Sequence, residues 1–113
     1  MDNTFTGGRV KIANTIIEKV VREAAMEVTG VAELLPGHDF VSYDKFTTTD
    51  TMKGVKIATK DGQVRIDLRL IAHNAEDLTK IAESAQRNIT EKLHVITGLR
   101  AVEVNVFIEG LKG

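Results

Sequence analysis

The sequence predicts an α+β fold of two layers, with two helices packed on one face of a mixed, mostly antiparallel sheet. Two segments repeat apolar residues at helical spacing, and several others alternate apolar and polar residues as half-buried strands do. One apolar stripe per helix and one apolar face per strand assemble most simply around a single core. The predicted order is strand, helix, strand, strand, helix, strand, and the 113 residues form a single domain over 1–113.

The first helix is predicted over residues 15–29, after a short alternating strand at residues 9–12. Thr15 and Glu18 have the spacing of a capping box, and Gly30 stands where a left-handed C-terminal cap favours glycine. The apolar stripe of this helix comprises Ile16, Ile17, Val20, Val21, Ala24, Ala25 and Val28.

Residues 36–53 are predicted to form an irregular loop, preceded by an additional short strand at residues 31–35. A turn signal at residues 36–37 is followed by three of the five aromatic residues of the chain, namely Phe40, Tyr43 and Phe46. Their spacing has two interpretations: one helical turn packed on the edge of the core, or a binding element carried by the loop. The polar, β-branched run at residues 47–51 is predicted to be mobile.

The clearest strand signal is a hairpin formed by residues 55–58 and 63–70. Asp61 and Gly62 between the strands favour a type I′ turn, in which both central residues have positive φ. Because such a turn fixes the register, it predicts three facing pairs: Val55 with Leu68 and Ile57 with Ile66 on the core side, and Lys56 with Asp67 on the opposite side.

The second helix is predicted from about Ala75 to Ile96, with Asn74 as its N-cap and Gly98 at its end. Its predicted buried face comprises Leu78, Ile81, Ala82, Ala85, Ile89, Leu93 and Ile96. The last strand is predicted over residues 101–109 and turns four side chains toward the core: Val102, Val104, Val106 and Ile108.

The sheet face opposite the helices is predicted to be exposed and charged, and it is the candidate partner interface. Its assigned residues are Lys56, Arg65, Asp67, Arg69, Glu103 and Phe107, with Asn105 on the same face. Phe107 is the candidate anchor, because large aromatic side chains are enriched at binding hot spots. The alternative is that Phe107 covers neighbouring aliphatic stems or lies under a loop.

No catalytic, cofactor-binding or metal-binding set is indicated. The chain has no cysteine, its three histidines lack metal-ligand spacing, and neither of its two serines lies in a nucleophile elbow. A net charge of -1 disfavours a nucleic-acid-binding protein, and an acidic residue separates the arginines of the sheet face. The longest apolar runs have three or four residues, so no direct membrane insertion is expected.

A resemblance to a known family is carried by short segments spread along the chain. They are residues 8–13, 16–17, 20, 24–31, 54–57, 61–62, 64–68, 97–99 and 104–106. In order and spacing they resemble the alkaline shock protein family, which comprises Gram-positive envelope stress response proteins. Residues 36–53 lie outside this resemblance.

The resemblance implies a small, cytoplasmic, non-enzymatic protein linked to cell-envelope homeostasis, with no cofactor. Some members self-associate and are held at the membrane by a separate anchoring protein. For this chain the resemblance implies protein partners, one of them membrane-anchored, a homo-oligomer, and a location in the cytoplasm or at the inner face of the cell membrane through a partner. The alternative is a small nucleic-acid-binding or regulatory module that uses the charged sheet face.

Overall fold

The computed structural model describes residues 11–35, 48–52, 55–73 and 77–112, with residues 48–52 described by their backbone. Helices and strands share one core, so the predicted two-layer α+β fold is confirmed. In chain order the elements are α1 (Asn14–Met26), β1 (Val31–Leu34), β2 (Thr48–Met52), β3 (Val55–Lys60), β4 (Gln63–Ala72), α2 (Leu78–Thr97) and β5 (Arg100–Leu111).

Strand β4 organises the sheet. It pairs in parallel with β5 along its whole length, from Gln63 opposite Arg100 to Ala72 opposite Leu111. Its other edge is shared by two antiparallel strands, with β3 opposite residues 63–68 and β1 opposite residues 70–72. Strand β2 extends the sheet beyond β3. The β4–β5 pair is parallel because α2 carries the chain back across the sheet between them.

The predicted hairpin is confirmed in turn type and in register. Asp61 and Gly62 have φ of 50° and 76°, the positive values that a type I′ turn requires. The three predicted facing pairs are all present in the β3–β4 ladder. The apolar side chains on the core side of this hairpin are fully buried: Val55, Ile57, Val64, Ile66 and Leu68.

Each helix contributes an apolar stripe to the core. In α1 the buried apolar residues are Ile17, Val20, Val21, Ala24 and Ala25, and in α2 they are Ile81, Ala85, Ile89 and Leu93. Burying a side chain such as Ile89 or Leu93 stabilises the fold by about 1.5–3 kcal/mol. The predicted stripes are therefore right in their centres, but Ile96 in the last turn of α2 is 59% exposed.

The predicted helix ends need correction. Helix α1 begins after Ala13 without a side-chain cap, so Thr15 and Glu18 do not form a capping box; Glu18 accepts a hydrogen bond from Arg22 Nε at 3.1 Å instead. It ends at Met26 rather than residue 29, and Gly30 has its positive φ of 105° in the following turn.

Helix α2 starts later than predicted. Asp77 is the N-cap, and its Oδ1 accepts a hydrogen bond from the amide of Lys80 at 3.2 Å. The predicted cap, Asn74, lies outside the described residues. The predicted end is confirmed, because Gly98 has φ of 76° and its amide donates to the carbonyl of His94 at 2.9 Å.

Three strand predictions also change. Residues 9–10 of the predicted first strand lie outside the described residues, and residues 11–12 are not in a strand. Within the predicted loop, β2 forms over Thr48–Met52, because its β-branched residues find a partner edge on β3. Val102 is 41% exposed rather than buried, since the β4–β5 register shifts there and leaves it without an opposite residue. The short strand predicted at residues 31–35 is confirmed as β1.

Candidate partner-binding surface

The polar sheet face, defined by Lys56, Arg65, Asp67, Arg69, Glu103, Asn105 and Phe107, is assembled by the strand register. Lys56 of β3 lies opposite Asp67 of β4, which in turn lies opposite Asn105 of β5. On either side along β4, Arg65 lies opposite Glu103 and Arg69 lies opposite Phe107. Opposite residues point to the same face, so the structure brings the predicted set together.

Hydrogen bonds join β4 and β5 across this face. Arg65 Nη2 lies 2.6 Å from Glu103 Oε1, an ion pair between the strands. The Nδ2 of Asn105 donates both to Glu103 Oε2 at 2.8 Å and to Asp67 Oδ1 at 2.9 Å. The Asn105 amide therefore links two carboxylates that lie on different strands.

A second ion pair lies further along the same two strands. Arg69 Nε donates to Glu109 Oε1 at 2.7 Å. Glu109 was not among the predicted site residues; the alternation of β5 places it on this face, but only the parallel register brings it to Arg69. Each arginine of the face is thus paired with a carboxylate from β5.

The prediction that this face is exposed is wrong at its centre. Asp67 is 1% exposed and Lys56 is 7% exposed. Asp67 has a short side chain on the central strand, and its Oδ1 accepts a hydrogen bond from Asn105 of β5. The half-buried residues around it are Arg65, Arg69, Glu103 and Asn105, whereas Phe107 is 41% exposed.

The network has an electrostatic consequence at Glu103. The hydrogen bond from Asn105 and then that from Arg65 lower the pKa of Glu103 below its ordinary value of 4.5, against a smaller opposing effect of burial. The carboxylate form of Glu103 is therefore the form that the folded protein stabilises.

Charges of opposite sign are matched within the face, which leaves little surplus positive charge for a phosphate backbone. Across the described ranges, no three acidic or histidine side chains are grouped as a metal site requires. Phe107 is the most exposed of the seven residues that define the face, and it lies beside the paired charges.

A separate groove lies between the end of α1 and the outer side of α2. It has a volume of about 770 Å³ and is lined mainly by polar residues, among them Glu27, Lys80, Ser84, Arg87 and Glu91. Lys92 Nζ lies 2.8 Å from Glu27 Oε2, and this contact, together with a hydrogen bond from Asn88, lowers the pKa of Glu27. The sequence carried no local signal for this groove, because it depends on how two distant helices pack.

The chain matches a described protein family over nearly its whole length. The model of the alkaline shock protein 23 family, described as having a cell envelope-related function, matches residues 2–113. The chain belongs to this family. The resemblance to alkaline shock proteins drawn from the sequence is thereby confirmed at the level of the family.

Two relatives show how far the similarity reaches. The chain is 33% identical over 105 residues to an uncharacterized protein of Bacillus subtilis, YqhY, covering 93% of this chain and 78% of the relative. It is 27% identical over 106 residues to a stress response regulator gls24 homolog of Streptococcus pyogenes, covering 93% of this chain and 59% of that relative. No solved structure matches the chain.

One further observation bears on location. Among the residues that the structure describes, no helix combines the length and the apolar character needed to cross a membrane. Both α1 and α2 instead carry charged residues along one side.

Proposed function

We propose that this member of the alkaline shock protein 23 family is a non-enzymatic scaffold of the envelope stress response. In this proposal it self-associates, and it is held at the inner face of the cell membrane by a membrane-anchored protein partner. The family's cell envelope-related function and the relatives named as stress response regulators support the setting.

The observation that carries the proposal is the contrast between Phe107 and the charges beside it. Arg65, Arg69 and Glu103 are held by partners on neighbouring strands, so they present a fixed pattern rather than reactive groups. Phe107, which is 41% exposed, lies next to them. A rigid aromatic group within a polar surround is a common anchor for a protein partner.

The pairing of the arginines supports the scaffold over the nucleic-acid-binding alternative. A nucleic-acid-binding surface depends on cationic side chains that can neutralise phosphates. Here Arg65 and Arg69 are each matched by a glutamate of β5. The polar sheet face therefore favours the scaffold over the nucleic-acid-binding module.

The test is Phe107→Asp, used in affinity capture from the membrane fraction of the native host. We expect the amount of co-purifying membrane protein to fall roughly tenfold or more, because a charged side chain replaces a hot-spot aromatic. The matched control is Leu111→Asp, which makes the same change at a 50% exposed apolar residue of the same strand.

Circular dichroism and thermal unfolding establish that both variants fold. Equal capture by Phe107→Asp, Leu111→Asp and the wild-type chain would remove the polar sheet face as the partner site.

A further inference from the structure

The helix layer carries exposed apolar side chains at one end. Val95 is 81% exposed, Ile96 is 59% exposed and Ile16 is 49% exposed. These are three of the most exposed large apolar side chains in the described part of the chain, and they come from the start of α1 and the end of α2.

Contacts between the helices place these residues at one end of the layer. Gly30, just beyond α1, packs so closely on Ile81 of α2 that an added Cβ would lie 2.7 Å from Ile81 Cδ1. Asn88, further along α2, donates to the carbonyl of Ala24 at 2.7 Å. The later residue of α2, Asn88, thus contacts the earlier residue, Ala24, so the two helices run antiparallel.

The helical repeat then puts Ile16 and Val95 on facing borders. Ile16 lies about three turns before Glu27, whose side chain contacts α2 through Asn88 and Lys92. Val95 lies about two turns after Asn88, on the same side of α2. The two side chains therefore mark the same end of the seam between α1 and α2.

Charges continue from this apolar end in opposite order on the two helices. Moving away from Ile16, α1 presents Lys19 and then Glu23. Moving away from Val95, α2 presents Glu91 and then Arg87. All four charged side chains are exposed, and within the described ranges none of them takes part in an ion pair of 4.0 Å or less.

We infer that this outer helix surface, formed by Ile16, Lys19, Glu23, Arg87, Glu91 and Val95, binds a second copy of the chain. A two-fold axis parallel to the helices lays α1 of one protomer along α2 of the other at the same level. Ile16 then meets the partner's Val95, Lys19 meets the partner's Glu91 and Glu23 meets the partner's Arg87. This inference rests on the self-association in the proposed function and names the surface that performs it.

The charge order is what selects a second copy as the occupant. An isologous contact needs a surface that is complementary to itself, and here each helix carries the complement of the other. An anionic membrane surface would select a predominantly basic face, whereas this one alternates acid and base. The apolar end supplies the contact area, and the charges fix the register.

Two double variants test the pairing. Lys19→Glu with Glu23→Lys reverses the charge order on α1, and Arg87→Glu with Glu91→Lys reverses it on α2; neither changes the net charge. Each variant alone places like charges together at both contacts of its own dimer. A mixture of the two restores opposite charges at both contacts of the heterodimer.

We expect the dimer dissociation constant to rise roughly tenfold for each variant alone at low salt, because four exposed ion pairs are lost per dimer. We expect the equal mixture to recover the wild-type value. Sedimentation equilibrium gives the constants, and thermal unfolding confirms that each variant is folded.

Each outcome has a separate meaning. Recovery on mixing supports the inferred contact. Association of the wild-type chain that neither variant weakens assigns self-association to another surface, which overturns the inference and leaves the scaffold function standing. A wild-type chain that is monomeric at every concentration overturns the inference and the self-association in the proposed function, while capture through Phe107 remains a separate measurement.

Discussion

The polar sheet face and the outer helix surface both carry charges of both signs, but the two regions use them differently. On the sheet face Arg65, Glu103 and Asp67 are linked within the chain by short contacts. On the helix surface Lys19, Glu23, Arg87 and Glu91 are exposed and form no ion pair within the described ranges.

The difference follows from the geometry of each layer. Adjacent strands hold opposite side chains close together, so charged residues of β4 and β5 form ion pairs within the sheet. Neighbouring helix axes lie about 8–10 Å apart, roughly twice the spacing of strands, and the four charges of the outer helix surface form no ion pair within the described ranges. We therefore expect changes to the paired charges of the sheet face to alter stability and changes on the helix surface to alter self-association.

The largest effect is expected from Asp67→Ala. This change removes a carboxylate that is 1% exposed and that accepts a hydrogen bond from Asn105. Leaving buried polar groups without their acceptor costs about 1–3 kcal/mol of the free energy of unfolding. Urea denaturation measures this loss.

The matched substitution removes a carboxylate from the outer helix surface. Glu91→Ala removes an exposed carboxylate from the helix surface, and we expect it to change the free energy of unfolding of the monomeric chain by no more than about 0.5 kcal/mol. If both substitutions lower the free energy of unfolding by the same amount, the sheet network stabilises the fold no more than the helix charges do.

The next largest effect is expected from Val95→Asp, and it should appear in association rather than stability. Val95 is 81% exposed, so a polar replacement removes little buried area from the folded chain. In the inferred dimer it places a charge in the apolar end of the contact, which raises the dissociation constant roughly tenfold or more.

Sedimentation equilibrium of Val95→Asp beside Leu111→Asp checks this expectation. Leu111 is also exposed and apolar, but it lies on β5 rather than on the helix layer. A dissociation constant that stays at the wild-type value in Val95→Asp would contradict the role given to the helix surface.

The sequence predicts which residues share the polar sheet face, but it does not predict which of them are buried. A type I′ turn at Asp61 and Gly62 is a local signal, and once it sets the register of β3 and β4, alternation assigns each side chain to a face. The burial of Lys56 and Asp67 depends on what flanks and covers them, which alternation does not contain.

The sequence also could not predict the register of β5 or the relative position of α1 and α2 along their axes. Both depend on packing between segments that are far apart in the chain. Val102 is exposed because the parallel ladder slips by one residue there, and nothing in its neighbours marks the slip. The complementary charge orders of α1 and α2 are meaningful only when their relative level is known. That level is set by packing between segments far apart in the chain, such as Gly30 on Ile81.

The smallest expected effect is a pH dependence that separates the two regions. The pKa of Glu103 is lowered in the folded state, first by the hydrogen bond from Asn105 and then by Arg65. The unfolded chain therefore binds the proton more tightly, so this stabilisation is fully present above the ordinary pKa of 4.5 and is lost as pH falls through the lower folded value.

Glu103→Gln should therefore destabilise the protein near neutral pH, and its deficit relative to wild type should shrink as the solution becomes more acidic than the unfolded pKa. At a concentration at which the chain is monomeric, Glu91→Gln is the matched control, because it neutralises a carboxylate without removing an ion pair within the described ranges. Urea denaturation of the three proteins at several pH values gives the comparison. If the loss of unfolding free energy in Glu103→Gln stays constant into acid, the folded protein does not stabilise the Glu103 carboxylate over its protonated form. The sheet carboxylate would then be no different from Glu91, and the contrast between the two regions would be wrong.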